Sequence, residues 1–233
     1  MIWDNRGLEN TENRIKDSLD LLSCIHEFKY CLVNMSDVER RLEERDLGLL
    51  SALSEKEIEH LEQLRIKKNK IQWIAGRYAV KSALYKYKMV GPSCIDVLKG
   101  EDSAPYILQY PDLCASITHS YPYCIGMVAR KKIGVDIEEI RELEGSVLEH
   151  FFTSNEREQL TLLKGTEDYV RRTIIYWTRK EAASKLVKLG MKLDFKELDT
   201  SKDLVSIDNC RIQFKSILFK DFCVSIAVEE DAS

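Results

Sequence analysis

The sequence predicts an α+β fold, and three observations carry that expectation. Two Ser/Thr-x-x-Glu capping boxes, Ser54 to Glu57 and Thr153 to Glu156, stand ahead of long segments with apolar residues at helical spacing. Short runs rich in β-branched and aromatic residues alternate with period two, as half-buried strands do. The two long helical segments also echo one another, since Ile71-Gln72-Trp73-Ile74-Ala75-Gly76-Arg77-Tyr78-Ala79 aligns without gaps to Ile174-Ile175-Tyr176-Trp177-Thr178-Arg179-Lys180-Glu181-Ala182. Amphipathic helices often align this well, so the echo alone establishes no repeat.

Taken in order, residues 1–25 are polar at first and then apolar, and read as an N-terminal extension. Phe28 to Val33 has the composition of a strand. The capping box at Ser54 starts a helix through about Leu64. Lys70 to Tyr87 places Ile71, Ile74, Ala75, Tyr78, Ala79 and Leu84 at helical spacing, Gly91-Pro92 stops that helix, and Gly100 to Pro105 is a loop. The expected division assigns residues 1–112 to the extension and a first half, and residues 113–233 to a second half beginning near Cys114. There Tyr123 to Val128 and Ile133 to Ile137 read as adjacent strands, and Asp168 to Leu189 as a long helix ended by Gly190. Arg211 to Lys215 and Phe222 to Val228 supply closing strands.

The 233 residues carry a formal net charge of −4 and no apolar stretch long enough to span a membrane. Met1 to Arg6 lacks the basic start and apolar run of a secretion signal. Seven cysteines form no Cys-x-x-Cys pair, and Cys31, Cys114, Cys124 and Cys223 lie in apolar or strand-like surroundings. Free thiols in a reduced, cytoplasmic protein are expected. Acidic residues are absent from Gln63 through Ile95, while Arg65, Lys67, Lys68, Lys70, Arg77, Lys81, Lys86 and Lys88 all fall there. This is a solvated basic face or an anion-binding surface; the acidic whole-chain charge and the lack of a recognised motif argue against nucleic acid.

The chemistry concentrates in two segments. In Gly134-Val135-Asp136-Ile137-Glu138, an extended strand projects Asp136 and Glu138 from one face. In Trp177-Thr178-Arg179-Lys180-Glu181-Ala182-Ala183-Ser184-Lys185, a helix puts Trp177, Glu181 and Lys185 on one face. Three carboxylates and a lysine that converge would hold a hard divalent cation together with an anionic ligand, which is phosphate chemistry. An arbitrary Asp-x-Glu pair is far more often a solvated strand face. Ser116, His119, Ser120 and Asp136 also offer the residue types of a hydrolase triad, but no Gly-x-Ser-x-Gly elbow accompanies them.

Together with Phe151 to Glu156 and with Ser116-Ile117-Thr118-His119-Ser120, these segments resemble the motifs of phosphopantetheinyl transferases of the larger Sfp type. The resemblance runs from about Trp73 to Gly190. It implies two similar α/β halves related by a pseudo-twofold, with the active site in the cleft between them. It also implies Mg²⁺-dependent transfer of 4'-phosphopantetheine from coenzyme A to a serine of an apo acyl or peptidyl carrier protein, releasing adenosine 3',5'-bisphosphate. Asp136, Glu138 and Glu181 would hold Mg²⁺ or Mn²⁺. Glu181 and Lys185 would act in catalysis, as proton acceptor and stabiliser of the departing phosphate. Arg77, Lys81, Thr118, His119, Lys180 and Lys185 would bind coenzyme A, Lys180 facing about 140° away from Lys185 around the helix. A monomer with no nucleic-acid or membrane partner completes the expectation. Two departures stand out: Ser103-Ala104-Pro105 occupies the family's Gly-Lys-Pro, and after the helix only Gly190 matches the usual glycine-rich turn. The basic run from Arg65 to Lys70 is the expected replacement for the missing lysine. A metal-dependent phosphodiesterase and a non-catalytic coenzyme A-binding relative are the alternatives.

Overall fold

Residues 5–207 and 209–230 are described by a computed structural model. Met1 to Asp4, part of the segment on which the absence of a secretion signal was read, lie outside them. The N-terminal extension forms helix α1 (Asn5–His26), whose Ile15 and Leu19 are fully buried. Strand β1 (Phe28–Asn34) follows, then the short helices α2 (Met35–Glu43), α3 (Leu47–Leu50) and α4 (Glu55–Gln63), and the long helix α5 (Lys67–Lys88). A small hairpin, β2 (Val97–Lys99) with β3 (Pro105–Ile107), leads to β4 (Cys114–Ser120) and β5 (Tyr123–Ala129). The second part runs β6 (Ile133–Glu139), α6 (Gly145–Phe151), α7 (Ser154–Leu163), α8 (Glu167–Val187), β7 (Leu204–Ile207), β8 (Cys210–Leu218) and β9 (Phe222–Glu229). The left-handed residue that ends α8 is Lys188 (φ 59°), two positions before the expected Gly190.

The larger sheets are antiparallel, ordered β1-β5-β4 and β6-β9-β8-β7. Each half therefore repeats one order of elements: a strand, connecting helices, a long helix, and a closing hairpin whose last strand pairs with the first. Because β4 and β5 pair with β1, residues 114–129 belong to the first sheet. The division between sheets falls at Arg130 to Lys132 rather than between residues 112 and 113. Period two sorts the side chains. Phe28, Tyr30 and Leu32 of β1 share a core with Ile133, Val135 and Ile137 of β6 and Val224, Ile226 and Val228 of β9, closed by Ile15 and Leu19. The opposite faces are covered by α5 and by α8.

Each capping box does more than start its helix. Glu57 is wholly buried and accepts from Ser54 N (2.9 Å), from Val97 N (2.8 Å) and from the ammonium of Lys81 on α5. Glu156, equally buried, accepts from Thr153 N (2.8 Å), Thr200 N (2.8 Å) and the ammonium of Lys180 on α8 (2.9 Å). A buried carboxylate is tolerable only with such a complement of donors, and here they tie three separate chain segments to one another.

The long helices approach their sheets through glycines. A Cβ on Gly126 would lie 2.6 Å from backbone atoms of Ala79 and Val80, and one on Gly134 only 1.9 Å from the carbonyl oxygen of Ala182. Gly134→Ala should push α8 off β6 and lower the urea midpoint, whereas Gly145→Ala, where open space surrounds the added methyl, should leave it unchanged. Lys180→Met leaves Glu156 charged in the core and should cost about 3–5 kcal/mol in urea unfolding; a loss below about 1 kcal/mol would show that water reaches the pair.

Candidate active site

The approach at Gly134 brings the two motif segments into register. On β6, Ile133, Val135 and Ile137 turn to the core, which leaves Gly134, Asp136 and Glu138 facing α8. Asp136 is buried, and its Oδ1 accepts from Lys185 Nζ (2.6 Å) and from the hydroxyl of Thr118 (2.9 Å). Lys185 also donates to the carbonyl of Val135 (3.1 Å). Asp136 Oδ2 is buried without a hydrogen-bond partner. Glu138 and Glu181 are half-buried beside it, and in both the carboxyl pKa is pushed up, first by desolvation and then by the charge of Asp136. The Glu138 value rises to about 7 despite a hydrogen bond from Trp177.

Asp136 stands between Glu138 and Glu181 and its charge acts on both, while Lys185 and, at Glu138, Arg141 only partly offset it. The orphaned Oδ2 and the neighbouring carboxyls are hard oxygen donors of the type a divalent cation takes. The donor chemistry thus fits magnesium or manganese, although among the described residues no three such groups close into a preformed cation cage.

Two adjoining cavities lie on this side of the molecule, and the smaller one reaches the cluster at Glu181 and Lys185. One, of 210 Å³, lies between Glu181, Ser184, Lys185 and Lys188 on one side and Asp102 to Pro105 on the other. The second, of 330 Å³, is walled by His60, Trp73, Arg77, Lys99 and His119. Both share Ser103, Pro105 and Ile117, so together they form one groove. In the larger cavity the Arg77 guanidinium lies 3.2 Å from the centre of the Trp73 ring, and His60 stacks on the same indole at 3.9 Å. Burial lowers the Arg77 pKa to about 10, which leaves it charged at neutral pH. His119 is exposed, with Nδ1 3.5 Å from Gln72 Nε2; desolvation, then Lys185 and Lys68, lower its pKa and favour the neutral ring.

Three expectations for coenzyme binding are corrected by this geometry. Lys81 and Lys180 line neither cavity; each ammonium is sealed in the core on Glu57 or Glu156 and on backbone carbonyls (Ala52 for Lys81, Phe195 for Lys180). Thr118 is buried and spends its hydroxyl on Asp136 and Ile137. Arg77, His119 and Lys185 do face the groove. In the basic run proposed to replace the missing lysine, Lys67 pairs with Glu39 and Glu43, and the cations that line the cavities with Ser103 and Pro105 are Arg77, Lys99, Lys185 and Lys188. Sequence reasoning missed His60, Trp73 and Lys99 as groove residues. Only the turn spacing of Trp73 and Arg77 along α5 pointed to any of them.

Residues 132–227 match the family model of the 4'-phosphopantetheinyl transferase superfamily. The 4'-phosphopantetheinyl transferase psf-1 of Bacillus pumilus is 31% identical over 87 residues, a match that takes in 37% of each chain. A phosphopantetheinyl transferase of Thraustochytrium is 26% identical over 212 residues, covering 79% of this chain and 73% of that protein. Among solved structures, the holo-(acyl-carrier-protein) synthase of Bacillus anthracis in complex with CoA (3',5'-ADP) aligns over 43% of this chain and 91% of that one, at 21% identity and a TM-score of 0.39. The matched residues 132–227 hold the β6 carboxylates and the α8 motif, so this part of the chain is similar to the 4'-phosphopantetheinyl transferase superfamily.

Proposed function

We propose that the protein transfers 4'-phosphopantetheine from coenzyme A to a serine of an apo acyl or peptidyl carrier protein, with release of adenosine 3',5'-bisphosphate. The observation that carries this reading is a groove whose smaller cavity is lined by Glu181 and by Lys185, the partner of Asp136, and whose larger one is cationic and aromatic. The chamber suits an anionic nucleotide: Arg77 and Lys99 supply positive charge, the Trp73 and His60 rings flat surface, and His119 a neutral hydrogen-bonding ring. The smaller cavity then takes the pyrophosphate and the reacting phosphorus. Asp136, Glu138 and Glu181 would hold magnesium, or manganese in its place, which when bound neutralises pyrophosphate charge as the transfer proceeds.

The chain's own groups divide the remaining tasks. Lys185, braced by Asp136 and the Val135 carbonyl, is aimed along the cavity wall and steadies the phosphate that departs. Glu181 would accept the proton of the attacking serine, directly or through water, with its basicity lowered where it also holds the cation. Among the described residues no helix is long and apolar enough to cross a membrane.

Intact-mass spectrometry of an apo carrier protein incubated with coenzyme A and Mg²⁺ tests the reading. One phosphopantetheine adduct is expected, lost with chelator and reduced by about 10²-fold or more in rate for Glu181→Gln and Lys185→Met. Hydrolysis of coenzyme A without any carrier adduct would favour the phosphodiesterase instead.

The raised carboxyls give a pH dependence of definite sign. Glu138 stays protonated in the folded protein up to about 7, while its ordinary value is 4.5, so stability without metal should fall as pH rises through that window. Mg²⁺ binds the deprotonated form, so its increment in Tm should be larger at about pH 8 than at about pH 6. An increment that does not change with pH would contradict the reading.

A further inference from the structure

The hydroxyls of β4 alternate with period two. Ser116 and Thr118 face β6 across the junction of the two sheets, where no backbone ladder forms between these strands. Ser116 Oγ accepts the N–H of Val135 (3.1 Å), and Thr118 Oγ1 accepts the N–H of Ile137 (3.2 Å). Side-chain oxygens thus stand in for carbonyls and join the two halves. The two hydroxyls differ in one respect. With its lone pair engaged by Ile137, Thr118 directs its proton to Asp136 Oδ1 (2.9 Å), the same oxygen that Lys185 holds at 2.6 Å. Oδ1 is therefore saturated by two donors, and Oδ2 is left buried and unpartnered.

From this arrangement we infer that Thr118 is a positioning residue that sets the rotation of the Asp136 carboxylate and reserves Oδ2 for a divalent cation. The inference rests on the metal reading given above and adds to it a residue that touches neither cation nor substrate. A β-branched threonine suits the task. Its methyl group restricts χ1 in the strand, so the hydroxyl has few alternatives to the Ile137–Asp136 bridge. Lys185 alone does not fix the carboxylate, because a half-exposed flexible ammonium can follow it through a range of rotations.

Mn²⁺ binding to the full chain, followed by the electron paramagnetic resonance signal of free Mn²⁺ without coenzyme A or carrier, provides the test. Thr118→Val keeps shape and removes the hydroxyl; it should weaken Mn²⁺ binding about 10–100-fold, the usual range for a lost outer-shell partner. Thr118→Ser keeps the bridge and should stay near the wild type. Ser116→Ala removes the matching hydroxyl to Val135 without touching Asp136, so it should lower Tm yet leave Mn²⁺ affinity unchanged. Wild-type affinity in Thr118→Val, or an equal loss in Ser116→Ala, would overturn the positioning role and leave the metal site standing. A wild type that binds no Mn²⁺ would overturn both.

Discussion

Helix α8 lies on strand β6 with nothing but a glycine hydrogen between them at Gly134, and the candidate site depends on that contact. The carbonyl of Ala182 occupies the space where any side chain would begin. Two residues along the strand Asp136 emerges beneath Lys185, and Glu138 follows on the same face toward Trp177. An added methyl would separate the elements and spread the carboxylates before it altered any of them chemically. The spacing of the sequence segment is thus a packing requirement first, with glycine for approach and alternate carboxylates for the face that the approach creates.

Lysines in the same helices meet opposite fates for equally physical reasons. Lys180 lies on the α8 face turned toward the chain after the helix, where Glu156 and the carbonyl of Phe195 enclose it. Lys185, on another face, keeps its ammonium at the rim of a cavity. The matching pair of Glu57 and Lys81 in the first half locks α4 onto α5 and onto β2. Capping glutamates are ordinarily surface features worth a modest amount to one helix. In this fold they become interior anchors, because the next helix packs directly over the cap. That rigid frame is what allows an under-neutralised cluster to persist at the groove, since relaxation there is opposed by fixed elements on both sides.

Much of the fold was legible in the sequence. The long helices at 67–88 and 167–187 and the strands β1, β5, β6 and β9 follow directly from periodicity and capping. Helix α1 was not read, because Ile15, Leu19 and Leu22 stand at helical spacing among many polar neighbours. Strands β2, β3 and β7 have three or four residues, too few to display a period. At the candidate site, the grouping of Asp136, Glu138, Glu181 and Lys185 is legible in sequence because their spacing is local to one strand and one helix. Lys81, Lys180 and Thr118 were misassigned because their partners lie elsewhere in the chain: twenty-four residues off at Glu57 and Glu156, eighteen off at Asp136. Residue type stated what those side chains could do, and only the packing of distant segments decides what they bind. The same limit hid Lys99, which reaches the groove from a strand three residues long.

The central claim is that one tight strand–helix contact presents three carboxylates and a lysine to one ligand. Crystals of the protein grown with Mn²⁺ and adenosine 3',5'-bisphosphate, measured at the manganese absorption edge, address it directly. An anomalous peak within coordination distance of Asp136 Oδ2 and of a carboxylate oxygen of Glu138 or Glu181, with the nucleotide against Trp73 and Arg77, is the expected result. Nucleotide in that chamber with no anomalous peak at Asp136, or manganese bound at a different cluster, would contradict the account.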